Sequence, residues 1–315
     1  MARILITGAH GFIGKHLARH LHAQGHRVCG LGHGIWPSAE AIRWGVDEWV
    51  NGDIHTANLR ALQLSGVPEV VFHLAGGSTV GAAIANPRED FFRTVASTVE
   101  LLEWMRLDAP SARLVVVSSA AVYGAGHHGP IPEDAALMPF SPYGHHKRMM
   151  EMQCQSYSDT YGLHCRVARL FSVYGPELKK QLLWDLCTRL NASESPLSLG
   201  GSGLELRDWT FVGDVVRALE ALAFHMASTH DTVNIGTGTG TSVRDIAVGV
   251  LQAWHAAPAD EGMLAFSGKG RPGDPFSLVA NPARLAGMGF EWQTPLHNGV
   301  DTFVAWFRHS TASAK

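Results

Sequence analysis

Hydrophobic and polar positions alternate along the chain in two periods. Arg3-Ile4-Leu5-Ile6-Thr7 is a short β-rich run, followed by Gly8-Ala9-His10-Gly11-Phe12-Ile13-Gly14 and then by Lys15 to Gln24 with apolar residues at helical spacing. This pattern predicts strand, glycine turn and helix. Gly25 closes the helix and His26-Arg27-Val28-Cys29-Gly30-Leu31 supplies the next strand, completing a β-α-β unit within about 30 residues. Buried-strand patterns recur at Glu69 to Leu74 and Leu114 to Ser118, separated by a helical stretch from Phe91 to Leu107. Another helix is expected to begin at Ser141-Pro142, with serine as N-cap and proline at the first helical position, and to run to about Tyr161. Cys165 to Leu170 reads as the strand after it. The alternation predicts an α/β fold, a Rossmann-type doubly wound parallel sheet. After Gly175-Pro176 the pattern loosens, with Ser/Gly/Pro-rich loops expected at Asn191 to Gly203 and Gly262 to Pro275. Two unequal parts are therefore expected: residues 1–171, to which part of 211–252 returns, and a smaller C-terminal region over 172–315.

Composition narrows the class. Hydrophobic residues make up 46% of the chain and charged residues 17%, which excludes disorder and a coiled coil. At 315 residues the chain exceeds the length of about 250 at which one core usually stops growing. No run approaches the roughly 18 uninterrupted apolar residues of a membrane span, and Met1-Ala2-Arg3 leads into the first strand without a signal-peptide layout. A cytoplasmic enzyme is the expectation. The 25 basic and 28 acidic residues, with no basic block, give no general attraction to nucleic acid or anionic membrane. A polyanionic ligand would have to be held by local groups. Cys29, Cys154, Cys165 and Cys187 contain no C-x-x-C pair and read as reduced, partly buried thiols. Of the 18 histidines, His16, His20, His22 and His26 are expected on the exposed face and end of the first helix. The pairs His127-His128 and His145-His146 invite a metal reading, but the first lacks acidic or cysteine partners at ligand spacing, and no metal is expected.

Chemistry concentrates in three places. Gly8, Gly11 and Gly14 stand where backbone turns sharply at the positive N-terminus of a helix, an anion cradle suited to a pyrophosphate. Tyr143 and Lys147 are four residues apart and so share a helix face. A lysine ammonium and an oxidised nicotinamide would both favour the phenolate of a tyrosine that is otherwise a poor base. Ser118-Ser119 follows the carboxyl end of a strand, where open α/β sheets keep their ligand crevice, and a serine hydroxyl there could donate to a substrate oxygen while the tyrosinate takes its proton.

The glycine triplet, Ser119 and the Tyr143/Lys147 pair resemble the extended short-chain dehydrogenase/reductase family, specifically its nucleotide-sugar epimerases, dehydratases and reductases. Asn51-Gly52-Asp53-Ile54, Val71-Phe72-His73-Leu74-Ala75-Gly76, Arg207-Asp208-Trp209, Val233-Asn234-Ile235-Gly236-Thr237-Gly238 and Arg271-Pro272-Gly273-Asp274-Pro275 resemble further segments of it, so the likeness spans nearly the whole chain. It implies a dinucleotide-binding domain over 1–171 and a mainly nucleotide-sugar-binding region over 172–315. It also implies cofactor contacts from Gly8, Gly11, Phe12, Ile13 and Gly14, from Asp53 and Ile54 at the adenine, from Leu74, Ala75 and Gly76, and from Ser118, Tyr143 and Lys147. Arg207 and Arg271 become the expected clamps on a substrate diphosphate, where guanidinium groups offer paired donors. Ser78, Thr79, Ser119, Tyr143 and Ser172 are expected around the sugar. The helices near 91–107 and 142–161 are expected to pair with a second copy as a four-helix homodimer interface.

Departures from the family pattern refine the expectation. Leu31 is followed by Gly32-His33-Gly34, with no carboxylate for the adenosine 2′-hydroxyl and no arginine for a 2′-phosphate. NAD is the expected cofactor, with NADP open, and His33 joins the expected contacts. Ser172 and Thr94 stand where asparagine is common, and Gly200 where an aromatic often packs on the nucleotide base. Sugar-nucleotide dehydratases typically carry Thr-Asp-Glu where this chain has Ser119-Ala120-Ala121, which removes the acids needed to eliminate water. The expected activity is a 4-epimerase acting on a UDP-hexose or UDP-N-acetylhexosamine, by C4 oxidation and return of the hydride to the other face. The alternatives are an NADPH-dependent reductase of 4-keto-6-deoxysugars and a non-catalytic cofactor sensor. His145 and His146 lie inside the Y-x-x-x-K window, where an imidazole would make activity fall below about pH 6.5 by adding positive charge, unless that helix position faces away from the cofactor.

Overall fold

The computed structural model describes residues 1–225, 229–258, 261–269 and 275–312. The strands in chain order are β1 (Arg3–Thr7), β2 (Arg27–Gly32), β3 (Glu48–Asn51), β4 (Val70–His73), β5 (Arg113–Ser119), β6 (Pro130–Ile131), β7 (His164–Leu170), β8 (Ser172–Tyr174), β9 (Leu197–Leu199), β10 (Leu206–Phe211), β11 (His230–Ile235), β12 (Gly240–Ser242), β13 (Leu264–Phe266) and β14 (Ser277–Ala280). Seven of them form a sheet in the order β3-β2-β1-β4-β5-β7-β11, with every pairing parallel. The order reverses between β1 and β4, which opens a crevice at the strands' carboxyl ends, the usual ligand position in such sheets. Burial of the sheet on both faces explains why its strands read as continuous apolar runs rather than alternating ones.

On one face, α1 (Phe12–Ala23) contributes Leu17, Ala18 and Leu21 to a core shared with Ile4, Ile6 and Phe72. On the other, Leu5, Val71, Leu114 and Val116 pack against three helices. Helices α2 (Ser38–Arg43), α3 (Thr56–Gln63), α4 (Val80–Ala85) and α5 (Pro87–Phe91) precede α6 (Ser97–Asp108) and α7 (Pro142–Tyr161), and α3, α6 and α7 carry that second face. The helix expected over Phe91 to Leu107 is not uniform: a π turn, Phe92–Ala96, separates α5 from α6. Ser141 caps α7 by accepting from Gly144 N at 3.2 Å, with Pro142 at the first position, as the sequence suggests.

Beyond Tyr174 come α8 (Gln181–Asn191), α9 (Val212–Phe224), α10 (Val243–His255), α11 (Ala283–Gly287) and α12 (Leu296–Ala312). Helix α9 returns to the α1 side of the main sheet, and β11 becomes its edge strand. Helices α8, α10 and α12 enclose a separate core with β9 and β13. Those two strands lie inside the segments expected to be loops; they pair with each other in parallel, Leu197 opposite Leu264, too short and too far apart in sequence to show a local period. A smaller sheet, β12-β10-β14-β6 with β8 also on β10, joins the two halves, because β6 from the first half pairs with β14 from the second.

All four cysteines are free and buried. Among the first-helix histidines, His22 is exposed as expected, but His16 is buried at 8% exposure. Its Nε2 donates to Pro176 O at 2.9 Å, and its ring packs edge-on against Trp44 and Phe12. His20 meets Glu220 at 2.7 Å and His26 stacks on Phe224. Docking of α9 and of the 175–178 segment on α1 creates these partners, which helical spacing cannot reveal. Among the described residues no helix is long and apolar enough to cross a membrane, and no group of three or more His, Cys, Asp or Glu side chains is placed to hold a metal ion.

Candidate active site

A cleft of about 1110 Å³ runs across the carboxyl ends of β1, β2, β4 and β5. Its floor is the glycine turn. Gly8 has φ of +74° and donates its N–H to Leu31 O at 2.7 Å, tying the turn to β2. A Cβ on Gly14 would lie 2.3 Å from Gly8 O and 2.7 Å from Ala9 Cα, so the helix starts directly against the strand end. Gly11 caps α1 without a side-chain partner, which leaves the first helical N–H groups pointing into the cleft for an anion. Side chains at Gly8 or Gly14 would collide with neighbouring backbone and displace the turn, so only glycine keeps the helix N-terminus this close to the strand end, an arrangement that fits a dinucleotide.

Every residue expected to touch the cofactor lines this cleft: Gly8, Gly11, Phe12, Ile13, Gly14, His33, Asp53, Ile54, Leu74, Ala75, Gly76, Ser118, Tyr143 and Lys147. At the edge of the cleft beside β2 and β3, His33 Nε2 meets Asp53 Oδ1 at 3.0 Å, both largely exposed. The structure thus supplies a carboxylate beside the end of β2, but from the far end of β3. Ser118 lines the cleft with its hydroxyl already committed to Glu151 Oε1 at 2.5 Å.

The catalytic candidates meet where α7 crosses β5. Lys147, 4% exposed, donates from Nζ to Val117 O at 2.9 Å. Burial pushes its ammonium down to about 8, against the opposing pull of the Asp90 and Glu151 carboxylates. Ser119 Oγ accepts from Ala121 N at 3.2 Å, which leaves its O–H proton for donation into the site. Tyr143 is half-buried; burial raises its phenol pKa, a hydrogen bond with Ser119 lowers it, and the Asp90 charge raises it again. The Lys147 ammonium points to the Val117 carbonyl, and the neighbouring Asp90 carboxylate works against the phenolate.

A polar network that sequence reasoning missed lies beneath this group. Glu151 accepts from Ser118 and, in a two-point contact, from Arg169 Nε at 3.1 Å and Nη2 at 2.7 Å, with both side chains buried. Arg169 also donates to Tyr123 Oη at 3.0 Å and Glu133 O at 2.9 Å, and Tyr123 donates to Asn234 Oδ1 at 2.7 Å. The available signal was spacing: Glu151 is one further helical repeat along the Tyr143/Lys147 face. His146, also in that window, does not face solvent; its Nδ1 lies 2.5 Å from Asp90 Oδ2. His145 is exposed.

The expected substrate residues are placed less uniformly. Ser78, Ser119 and Tyr143 line the cleft, joined by Phe171, Val173, Leu178, Lys180 and Gln181, which were not anticipated. Thr79 is not part of the lining and caps α4 by accepting from Ala82 N at 3.2 Å. Ser172 pairs opposite Trp209 where β8 meets β10. Arg207 donates to Leu206 O at 2.8 Å and stands on β10 rather than in the cofactor cleft. Arg271 lies outside the described residues. Within Arg207-Asp208-Trp209 the buried member is Asp208, which accepts from Thr237 N, Gly238 N and Ala280 N and so secures the turn after β11.

Comparison with known proteins agrees with this geometry. The model of the NAD dependent epimerase/dehydratase family matches residues 4–236. A UDP-glucose 4-epimerase of Mycolicibacterium smegmatis is 31% identical, over 98% of this chain and 99% of that protein. The crystal structure of UDP-glucose 4-epimerase from Thermotoga maritima with UDP-glucose superimposes with a TM-score of 0.87 at 26% identity, covering 98% of this chain and 99% of the other. MoeE5 in complex with UDP-glucose and NAD gives a TM-score of 0.85 at 31% identity, over 98% and 99% of the two chains.

Proposed function

Because the chain belongs to the NAD dependent epimerase/dehydratase family, as an NAD-dependent sugar-nucleotide epimerase of the extended short-chain dehydrogenase/reductase type, we propose that it inverts C4 of a UDP-hexose or UDP-N-acetylhexosamine. The observation that carries this reading is the convergence of Ser119, Tyr143 and Lys147 beside a glycine turn shaped for a dinucleotide. NAD, when bound, accepts the C4 hydride and gives it back. Tyr143, as phenolate, takes the C4 hydroxyl proton while the alcohol becomes a ketone, and returns it when the ketone is reduced from the other face, so no net proton or electron leaves the site. Ser119 donates to the same substrate oxygen and steadies it in both half-reactions. Lys147, tied to Val117 O beside the Gly76 turn, is the proposed partner of the nicotinamide ribose.

Dehydration is not supported, because Ala120 and Ala121 occupy the 3-10 turn after Ser119 and bring no acid to the site. Arg207, with Arg271, is the proposed holder of the diphosphate. Exposed Leu107 on α6 and Met149, Met152 and Tyr161 on α7 support pairing of these helices with a second copy, which light scattering would show as a doubled mass.

The test is incubation of the purified protein with UDP-glucose and UDP-N-acetylglucosamine without added cofactor. C4 epimers should form, and Tyr143→Phe should slow their formation by about two to four orders of magnitude. Activity only on 4-keto sugars with stoichiometric NADPH would overturn the epimerase reading.

A further inference from the structure

The proton and hydride exchange described above makes no use of one buried charge at its edge. Asp90 is 5% exposed, and each of its carboxylate oxygens has a defined surrounding. Oδ1 lies against the Gly76-Gly77 segment after β4, where a Cβ on Gly77 would come within 1.7 Å of it. Gly77 N donates to Thr94 Oγ1 at 2.9 Å, and Thr94 Oγ1 and Lys147 Nζ both stand 3.4 Å from the Cβ position of Gly76. Asp90, Thr94 and Lys147 therefore surround the same two residues of cleft wall. Oδ2 takes the 2.5 Å contact from His146 Nδ1, with the imidazole donating because a carboxylate can only accept. The His146 side chain is 12% exposed and Phe91 packs edge-on against its ring, so the contact is shielded from water.

Among the described residues, His146 is the ion-pair partner that Asp90 has. The other charges around the pair are otherwise engaged or belong to the site: Arg93 on the π turn holds Glu89 at 2.6 Å, Lys147 on α7 holds Val117 O, and Glu151 holds Arg169. Tyr143 and His146 are three residues apart on α7 and so are neighbours on its surface; the carboxylate that His146 contacts is thereby brought near the phenol, where its charge opposes a second negative charge. Its hydrogen bond partner decides how much of that charge Tyr143 feels.

We propose that the buried Asp90–His146 pair sets the pH at which Tyr143 becomes a phenolate, with Asp90 supplying the opposing charge and His146 acting as the positioning residue that offsets it. The inference rests on Tyr143 being the base of the proposed reaction. It reverses the simple expectation for a histidine in this window: the His146 N–H is spent on Asp90, offsets the charge that opposes the phenolate, and so helps rather than hinders its formation.

The phenolate is read directly by ultraviolet difference titration of the NAD-loaded protein, subtracting Tyr143→Phe in each background. Asp90→Asn should move the midpoint down by roughly one unit, and His146→Ser should move it up by a similar amount. His146→Asn, which keeps an N–H donor, should stay near the parent. The acidic limb of kcat/KM should move in parallel, so that at a pH below the midpoint one unit appears as about a tenfold change in rate. Midpoints that coincide in all backgrounds while kcat falls would reduce the pair to a structural brace and overturn the proposal. Should His146→Ser fail to fold, the Asp90→Asn midpoint decides the matter. Absence of C4 epimers from any UDP-sugar would count against the epimerase reading alone, since the phenolate midpoint is measured without substrate turnover.

Discussion

Glu151→Ala is the perturbation whose cost the structure lets one calculate most directly. Glu151 and Arg169 are a buried ion pair, with side chains 8% and 6% exposed and contacts at 3.1 and 2.7 Å. Removing the acid leaves a guanidinium enclosed by β7, Tyr123 and the 133 carbonyl with no counter-charge, and breaking such a pair costs about 3–5 kcal/mol. The loss of the Ser118 hydrogen bond adds about 1 kcal/mol. The double variant Glu151→Leu/Arg169→Met removes the stranded charge with the acid. Tyr123 then keeps its bond to Asn234, and Glu133 O loses a donor, so the double variant should lie only about 1–2 kcal/mol below the parent. Urea denaturation followed by tryptophan fluorescence of the parent, Glu151→Leu, Arg169→Met and the double variant gives the four stabilities of a cycle, which should return a coupling of at least about 2 kcal/mol. The same change should lower kcat, because Ser118 adjoins Ser119 and the Glu151 charge supports the Lys147 ammonium. Additive single effects, or a Glu151→Ala variant within about 1 kcal/mol of the parent, would refute the reasoning.

Gly14→Ala should abolish retention of NAD through gel filtration while leaving far-ultraviolet circular dichroism largely intact, since the added methyl meets Gly8 O at 2.3 Å and moves the turn rather than the sheet; a variant that purifies with full cofactor would count against the cradle. His73 is fully buried between the hydroxyls of Thr7 at 2.7 Å and Thr98 at 2.9 Å, and burial holds its pKa down to about 3. The folded protein therefore binds fewer protons than the unfolded chain between about pH 3 and 6.5, so the stability this histidine supports is present above that window and is lost as pH falls through it. Urea midpoints measured from neutral to acidic pH should fall less steeply in His73→Asn than in the parent; equal slopes would assign the acid sensitivity elsewhere.

Local pattern carried much of the fold. The turn at Gly8 to Gly14 and helix α7 were legible because each is decided within a few residues: a strand period ending in glycines, and a serine cap with proline at the first turn followed by helical spacing. The Tyr143/Lys147 pairing follows from the same helical geometry. Strands β9 and β13 were not legible, because each is three residues long and takes its stability from a partner more than sixty positions away. The same limit applied to His16, whose burial depends on Pro176 O and Trp44 rather than on the polarity of α1.

The sequence by itself determined the class of chemistry, since the glycine cradle and the tyrosine-lysine face are short-range features of backbone turn and helical repeat. The tertiary structure alone decided the charge environment of that chemistry. Asp90 reaches His146 across 56 positions and Glu151 reaches Arg169 across 18, while Arg207 turns to its own strand backbone. Such partners are chosen by packing: a buried charge must take whichever counter-group the folded layers bring within reach, and no local period records which one that will be.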